Sequence, residues 1–272
     1  VNLRYLSPKR RRKMQTVLKV DNVTHFFGGL KAVSNFNLEL PEGALWGLIG
    51  PNGAGKTTVF NLVTGVYIPT KGNISFFDRD ITKDKPHTVV SKGIARTFQN
   101  LRIFPTLTVI DNIRIAGHFK MKYGLLDAIV RDKRYYTNEA ELSQRALHLL
   151  ELFKLQDRAY YPAKSLPYGE LRRLEIARAL ATDPKLLLLD EPAAGMNPKE
   201  VESLMEMILW IRNHFKITIY LIEHHMKVVM GICERIKVMD FGETIAEGDP
   251  TEIQNNPRVI EAYLGRRKNA KS

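Results

Sequence analysis

The octapeptide Gly50-Pro51-Asn52-Gly53-Ala54-Gly55-Lys56-Thr57 constrains this chain more than any other stretch. It fits the pattern G-x-x-x-x-G-K-S/T in full. A continuous apolar run over residues 44–49 precedes it, and Val59, Phe60, Leu62 and Val63 follow at helical spacing. Buried strand, glycine-rich loop, helix: this order turns successive backbone N–H groups inward and aims the positive end of a helix at the same point. The ligand that suits such a nest is a nucleotide polyphosphate. Gly50, Gly53 and Gly55 permit the backbone turns, and Pro51, Asn52, Ala54 and Thr58 belong to the same phosphate-binding segment. Lys56 is suited to reach the β- and γ-phosphates, and the Thr57 hydroxyl to ligate Mg2+.

A second chemistry-bearing segment ends the most apolar run, Leu186-Leu187-Leu188-Leu189-Asp190-Glu191-Pro192. Acids at the carboxyl end of a parallel strand sit where open α/β sheets bind ligands. Asp190 is the expected Mg2+ partner, through water. Glu191 is placed to orient or deprotonate an attacking water. Further apolar runs over residues 217–222, 236–239 and 244–246, with helices between the first three strands of this half, predict an α/β sheet with crossovers. Near the start, Leu18 and Val20, then Phe36, Leu38 and Leu40, alternate with period two and predict half-buried strands before the turn Pro41-Glu42-Gly43. From about residue 101 to 164 strand signals fade. Residues 140–155 have helical spacing, so an inserted helical subdomain is expected there.

Composition narrows the class. The 272 residues are 44% hydrophobic and 26% charged, which excludes disorder and collagen-like or coiled-coil chains. One cysteine, Cys233, excludes an internal disulfide and a cysteine-based metal cluster, and suits a reducing compartment. The apolar runs are far shorter than a bilayer span, and Gln15, Thr16, Lys19 and Asp21 break any secretory signal core after the basic residues 10–13. Ten of the net +12 charges lie in residues 1–16 and 266–272, so the excess belongs to two tails rather than to a basic face for nucleic acid.

The segment Ser165-Leu166-Pro167-Tyr168-Gly169-Glu170-Leu171, followed by Arg172-Arg173-Leu174-Glu175-Ile176-Ala177-Arg178, resembles the signature of ATP-binding cassette (ABC) ATPases. Gln99 in Arg96-Thr97-Phe98-Gln99-Asn100 resembles the family's glutamine loop, Ala194-Gly195-Met196-Asn197 its D-loop, and His224 its switch histidine. Phe27 resembles the aromatic that stacks on adenine, with Phe26 an alternative; His225 carries no role. The signature departs from the common Leu-Ser-Gly-Gly-Gln: Pro167 cannot give a serine's hydroxyl contact, so Gly169 N–H and the helix end must serve. The tyrosine-glycine signature, Asp-Glu-Pro-Ala-Ala-Gly-Met-Asn-Pro after it, residues 93–104 and the end over residues 256–265 are similar to the ATP-binding subunit of branched-chain amino acid uptake systems, as is a long helical insertion around residues 117–138.

The resemblance implies an α/β P-loop NTPase core with a mixed, largely parallel sheet, an N-terminal antiparallel β subdomain and an inserted α-helical subdomain. The core falls on residues 17–100 and 170–265, the helical part on 101–169, and basic segments on 1–16 and 266–272. It implies an ATPase using ATP and Mg2+: Glu191, His224 and Gln99 catalytic, Thr57, Gln99 and Asp190 at the metal, and the signature residues Leu166, Pro167, Tyr168, Gly169 and Glu170 completing the site of a second cassette. Two transmembrane permeases and an external binding protein are the implied partners, with no nucleic acid, at the cytoplasmic side of the inner membrane. Residues 99–111, with Phe104 and Leu107, are the expected permease-docking surface. Other cargo (urea, or lipid export) and a soluble ABC ATPase are the alternatives.

Overall fold

The computed structural model describes residues 15–99, 101–120 and 133–264. Most of both basic segments, Asn100, Gly265 and the middle of the expected insertion lie outside these residues. Thr16, assigned above to the basic segment, already opens a strand.

Two sheets form the frame. The first is antiparallel, in the order β2-β1-β4-β5, from β1 (Thr16–Phe27), β2 (Leu30–Pro41), β4 (Lys71–Phe76) and β5 (Arg79–Asp80). The second runs β10-β9-β3-β8-β7-β6, from β3 (Leu45–Ile49), β6 (Ile94–Arg96), β7 (Leu186–Asp190), β8 (Thr218–Ile222), β9 (Arg235–Asp240) and β10 (Glu243–Gly248). Its pairs are parallel except β9 with β10. The strand ahead of the phosphate loop is therefore central, flanked by β8 and β9.

Strand periodicity sends successive side chains to opposite faces. Leu45, Ile49, Leu187, Leu189, Ile219 and Leu221 pack on one face against helices; Leu48, Leu186, Leu188, Tyr220 and Ile222 face the antiparallel sheet. The helix after the phosphate loop, α1 (Lys56–Val63), joins that second layer through Val59, Phe60, Leu62 and Val63. Burial on both faces is why β7 and β8 read as unbroken apolar runs.

The remaining helices are α2 (Pro86–Lys92), α3 (Val109–Gly117), α4 (Lys133–Leu152), α5 (Tyr168–Leu180), α6 (Pro198–Phe215), α7 (Met226–Ile232), α8 (Pro250–Gln254) and α9 (Pro257–Leu264). No strand lies between β6 and β7 among the described residues. The helix expected over 140–155 starts earlier and stops sooner. At its end Lys154 takes φ 55°, Leu155 N–H donates to Leu150 O at 2.8 Å, and Lys154 N–H donates to Glu151 O at 3.0 Å. This is a Schellman closure in which lysine stands where glycine is usual. Pro167 caps α5 from outside rather than occupying its first turn, and its carbonyl accepts the Glu170 and Leu171 N–H groups.

Tyr220 in β8 is fully buried, and its hydroxyl has no hydrogen-bond partner. An unpaired buried hydroxyl is a net cost. Tyr220→Phe should therefore raise stability by about 1 kcal/mol and the melting midpoint by roughly 2 °C. Calorimetry showing a fall of similar size would place a partner on that hydroxyl.

Candidate nucleotide-binding site

β3 delivers Gly50 to the sheet's carboxyl end, where the chain turns through the loop into α1. Gly55 caps α1 at φ 99°, and no side chain occupies the helix's first N–H groups. A Cβ on Gly55 would stand 2.5 Å from Ala32 O of β2, and one on Gly50 would stand 2.1 Å from Met239 O of β9. Only glycine fits between these carbonyls. Lys56 is buried, and its Nζ donates to Gly50 O at 2.7 Å and Pro51 O at 2.9 Å. Burial lowers its pKa, and the nearby Glu191 and Asp190 oppose that shift.

The loop forms one wall of a cavity of about 940 Å³, lined also by Phe27, Thr58, Gln99, Glu191, His224, Phe241 and Tyr263. Phe27 reaches this cavity and Phe26 does not. The Phe27 ring is braced edge-on by His25 at 4.7 Å and by Tyr67 at 5.2 Å, centroid to centroid. That leaves an aromatic surface at the cavity's rim suited to a purine. Tyr263 on α9 enters from the far end of the chain. Burial pushes its hydroxyl pKa up to about 12, while a hydrogen bond with the Gly50 backbone works against that rise.

Two of the sequence-selected side chains converge on a third, the Glu191 carboxylate. Gln99 Nε2 donates to Glu191 Oε2 at 2.7 Å, and His224 Nδ1 lies 3.5 Å from the same oxygen. Gln99 thus meets Glu191 rather than Thr57 or Asp190. Asp190 lies under the cavity, not in its lining. Its Oδ2 accepts from Arg96 Nη2 at 2.7 Å, with both side chains almost fully buried. Arg96 also donates to Asn61 Oδ1 of α1 at 2.7 Å and sits over the rings of Phe60 and Phe98.

The signature residues do not line the cavity. Leu166 is a core residue, and Glu170 lies 3.8 Å from Arg173 on its own helix. Tyr168 Oη donates to Ala194 O at 2.9 Å and accepts from Arg172 Nη2 at 3.0 Å. Arg172 is fully buried, paired with Glu175 at 2.8 Å, and donates to Phe98 O at 3.2 Å. Glu175 Oε1 accepts the Phe98 and Arg102 N–H groups at 3.3 and 3.4 Å. One buried ion pair on the signature helix therefore holds the backbone on both sides of Gln99, and Tyr168 ties that helix to the loop after Glu191.

Sequence reasoning gave no role to Arg96, Arg172, Glu175, Glu223 or Tyr263. Glu223 offered a signal: a carboxylate directly after an unbroken apolar strand, as at Asp190. Arg172 and Glu175 offered the i, i+3 opposite charges of a helix pair, which on sequence alone resemble an exposed pair. Tyr263 offered none.

Comparison with known proteins fits this geometry. The family model described as ABC transporter matches residues 33–194, and one described as Branched-chain amino acid ATP-binding cassette transporter matches residues 243–269. The high-affinity branched-chain amino acid transport ATP-binding protein LivG of Salmonella typhimurium is 48% identical over 251 residues, spanning 92% of this chain and 98% of that protein. BraF of Pseudomonas aeruginosa, which bears the same description, is 44% identical over 249 residues, with the same shares. Among solved structures, an ATP-binding cassette of an ABC transporter in its ADP conformation superposes with TM-score 0.80 at 31% identity, covering 92% of this chain and 99% of that one. A dimeric cassette bound to ADP and Pi superposes with TM-score 0.72 at 26% identity, covering 86% and 98%.

Removing one partner of a buried ion pair leaves an uncompensated charge. Arg96→Ala should therefore cost about 3 kcal/mol in urea denaturation. A loss below about 1 kcal/mol, the scale of a surface pair, would mean that water reaches Asp190.

Proposed function

This chain belongs to the ATP-binding cassette transporter family, and on that premise we propose that it is the ATP-hydrolysing subunit of an importer for branched-chain amino acids. The observation that carries the chemistry is the meeting of Gln99 and His224 on the Glu191 carboxylate, at the mouth of a phosphate-binding loop. The cargo rests on relatives that share 44–48% of their residues with this chain and on the match of its C-terminal segment.

The residues then divide the work. Adenine stacks on Phe27, and the triphosphate enters the nest at the start of α1. Lys56 exchanges its bonds to Gly50 O and Pro51 O for phosphate oxygens, which suit its charge better. Glu191 takes or orients the proton of the attacking water. His224 donates to charge developing on the γ-phosphoryl oxygens, and Gln99 holds the Glu191 oxygen. The described residues contain no cluster of three acidic, histidine or cysteine groups able to hold a metal alone. Thr57 lines the cavity and would offer its hydroxyl to Mg2+, whereas Asp190, beneath the lining and paired with Arg96, would reach the ion only through water, which suits Mg2+ that arrives with its nucleotide and keeps several waters. Bound there, Mg2+ would neutralise phosphate charge.

Because the signature segment stays away from its own chain's cavity, it is available to a second cassette. Pro167 lacks a hydroxyl and an N–H, and Tyr168 is engaged with Ala194, so Gly169 N–H and the open end of α5 are left for that contact. ATP closes the pair and hydrolysis releases it. The surface expected for permease docking, residues 99–111, carries two apolar candidates: Phe104 is exposed, capped by Arg178 at 5.9 Å, and Leu107 is half-buried beside it. No described helix is long and apolar enough to cross a membrane. Attachment at the cytoplasmic face would therefore run through two permease subunits, which an external binding protein supplies with cargo.

Glu191→Gln should bind ATP, lose at least about 100-fold in turnover and accumulate as a nucleotide-bound dimer in gel filtration. Wild-type turnover would remove Glu191 from the chemistry. Phe104→Asp should abolish uptake in reconstituted vesicles while the isolated subunit hydrolyses ATP as before. Parallel loss of both would move Phe104 from the docking face into the fold.

A further inference from the structure

Glu223 follows β8 directly, and its side chain is fully buried. Its carboxylate is shared among three backbone donors. Oε1 accepts the Ala193 N–H at 2.7 Å; Oε2 accepts the His224 and His225 N–H groups, each at 3.0 Å. Two separate loops therefore end on one charged group: the loop that carries Glu191 and the loop that carries His224.

The Glu191 loop needs such a hold. Glu191 is not glycine, yet its backbone sits at φ 48° in the left-handed region. A residue there costs energy and stays only where its surroundings over-determine it. Glu191 N–H donates to Ile222 O at 2.9 Å on one side, and Ala193 N–H reaches Glu223 on the other. The strained residue is thus fixed from both directions by adjacent residues at the end of β8. The same carboxylate fixes the backbone that presents His224, whose ring stands 3.5 Å from Glu191.

We propose that Glu223 is a positioning residue for ATP hydrolysis: a buried backbone clamp that sets the placement of Glu191 and His224 relative to each other. It does not line the cavity and acts through those two side chains. The inference rests on the roles given above to Glu191 and His224.

The chemistry of the clamp dictates the test. A carboxylate offers acceptors at both ends, whereas an amide offers one acceptor and one donor. Glu223→Gln keeps the shape but must turn an NH2 group toward either Ala193 or the two histidine N–H groups. One charge-assisted contact of the clamp is lost if the NH2 faces Ala193 and two if it faces the histidine backbone, on a scale of at least about tenfold in rate. Expected is a fall in kcat of about that size, with KM for ATP and the affinity for a non-hydrolysable ATP analogue unchanged. In a His224→Ala background the same substitution should cost less than it does alone, because the two act on one arrangement. Circular dichroism melting accompanies each measurement. Where Glu223→Gln does not fold, Glu223→Asp, which keeps the charge and shortens the reach, takes its place with the same expectation.

An unchanged kcat in the variant that folds would overturn the clamp. So would kcat and analogue affinity falling together, or full additivity with His224→Ala. Glu191→Gln run alongside separates the two levels. If it hydrolyses normally, the reading of Glu191 fails; if it is inactive while Glu223→Gln is normal, only the clamp fails.

Discussion

The phosphate loop passes between two backbones that leave no room for a side chain. Gly50 lies against Met239 O of β9 and Gly55 against Ala32 O of β2. Hydrogen bonds tighten the same junction: Gly242 N–H donates to Ala54 O at 3.0 Å, and Ser34 N–H donates to Gly242 O at 2.8 Å. The nest is thereby gripped by both sheets at once. Its shape depends on how the antiparallel sheet sits on the parallel one, which explains why so much buried apolar surface between the sheets serves a six-residue turn. Fixing N–H groups in place in this way is what makes them effective toward charge.

A second constraint acts from the helical side. The Arg172–Glu175 pair is buried on α5, and buried pairs add little to stability because both ions lose water. Here the pair also donates to Phe98 O and accepts from the Phe98 and Arg102 N–H groups, around Gln99, while Arg172 Nε is left without a partner. Through Tyr168 the same arginine is linked to Ala194. Any tilt of α5 must then disturb the Gln99 segment, the Ala194 segment, or both. An ion pair that fixes geometry suits an element whose end is proposed to meet a second cassette.

The frame was readable in the sequence because its signals are local. Leu186 to Leu189 is long enough and apolar enough to demand burial on both faces, and the glycines of the loop admit few other conformations. Phe27, Gln99 and His224 could be placed by resemblance, and the fold brings all three to one cavity. What stayed hidden was contact across the chain. Nothing near Tyr263 indicates that α9 returns to Gly50, and nothing near Arg96 indicates that it reaches Asp190 rather than water. The signature tyrosine could be seen to depart from the common pattern, but not that its hydroxyl is spent on Ala194. Element ends were blurred for a related reason: Lys154 takes a left-handed turn that composition does not announce, held by Leu150 and Leu155 on either side.

The hidden residues share a geometric origin. β6, β7 and β8 lie side by side and parallel, with Arg96 opposite Leu188 and Asp190 opposite Ile222. The sheet therefore carries Arg96, the Asp190–Glu191 pair and Glu223 to one edge, each at or just past the end of an apolar strand. Charges gathered there are shielded from solvent and must find partners among themselves or in the backbone of the next loop. Arg96 meets Asp190, and Glu223 takes three N–H groups. A parallel sheet thus turns one sequence habit, a charged residue closing a buried strand, into a row of mutually fixed groups beneath the cavity. The habit is visible strand by strand, whereas the pairing requires the strand order, and the strand order is a property of the whole fold.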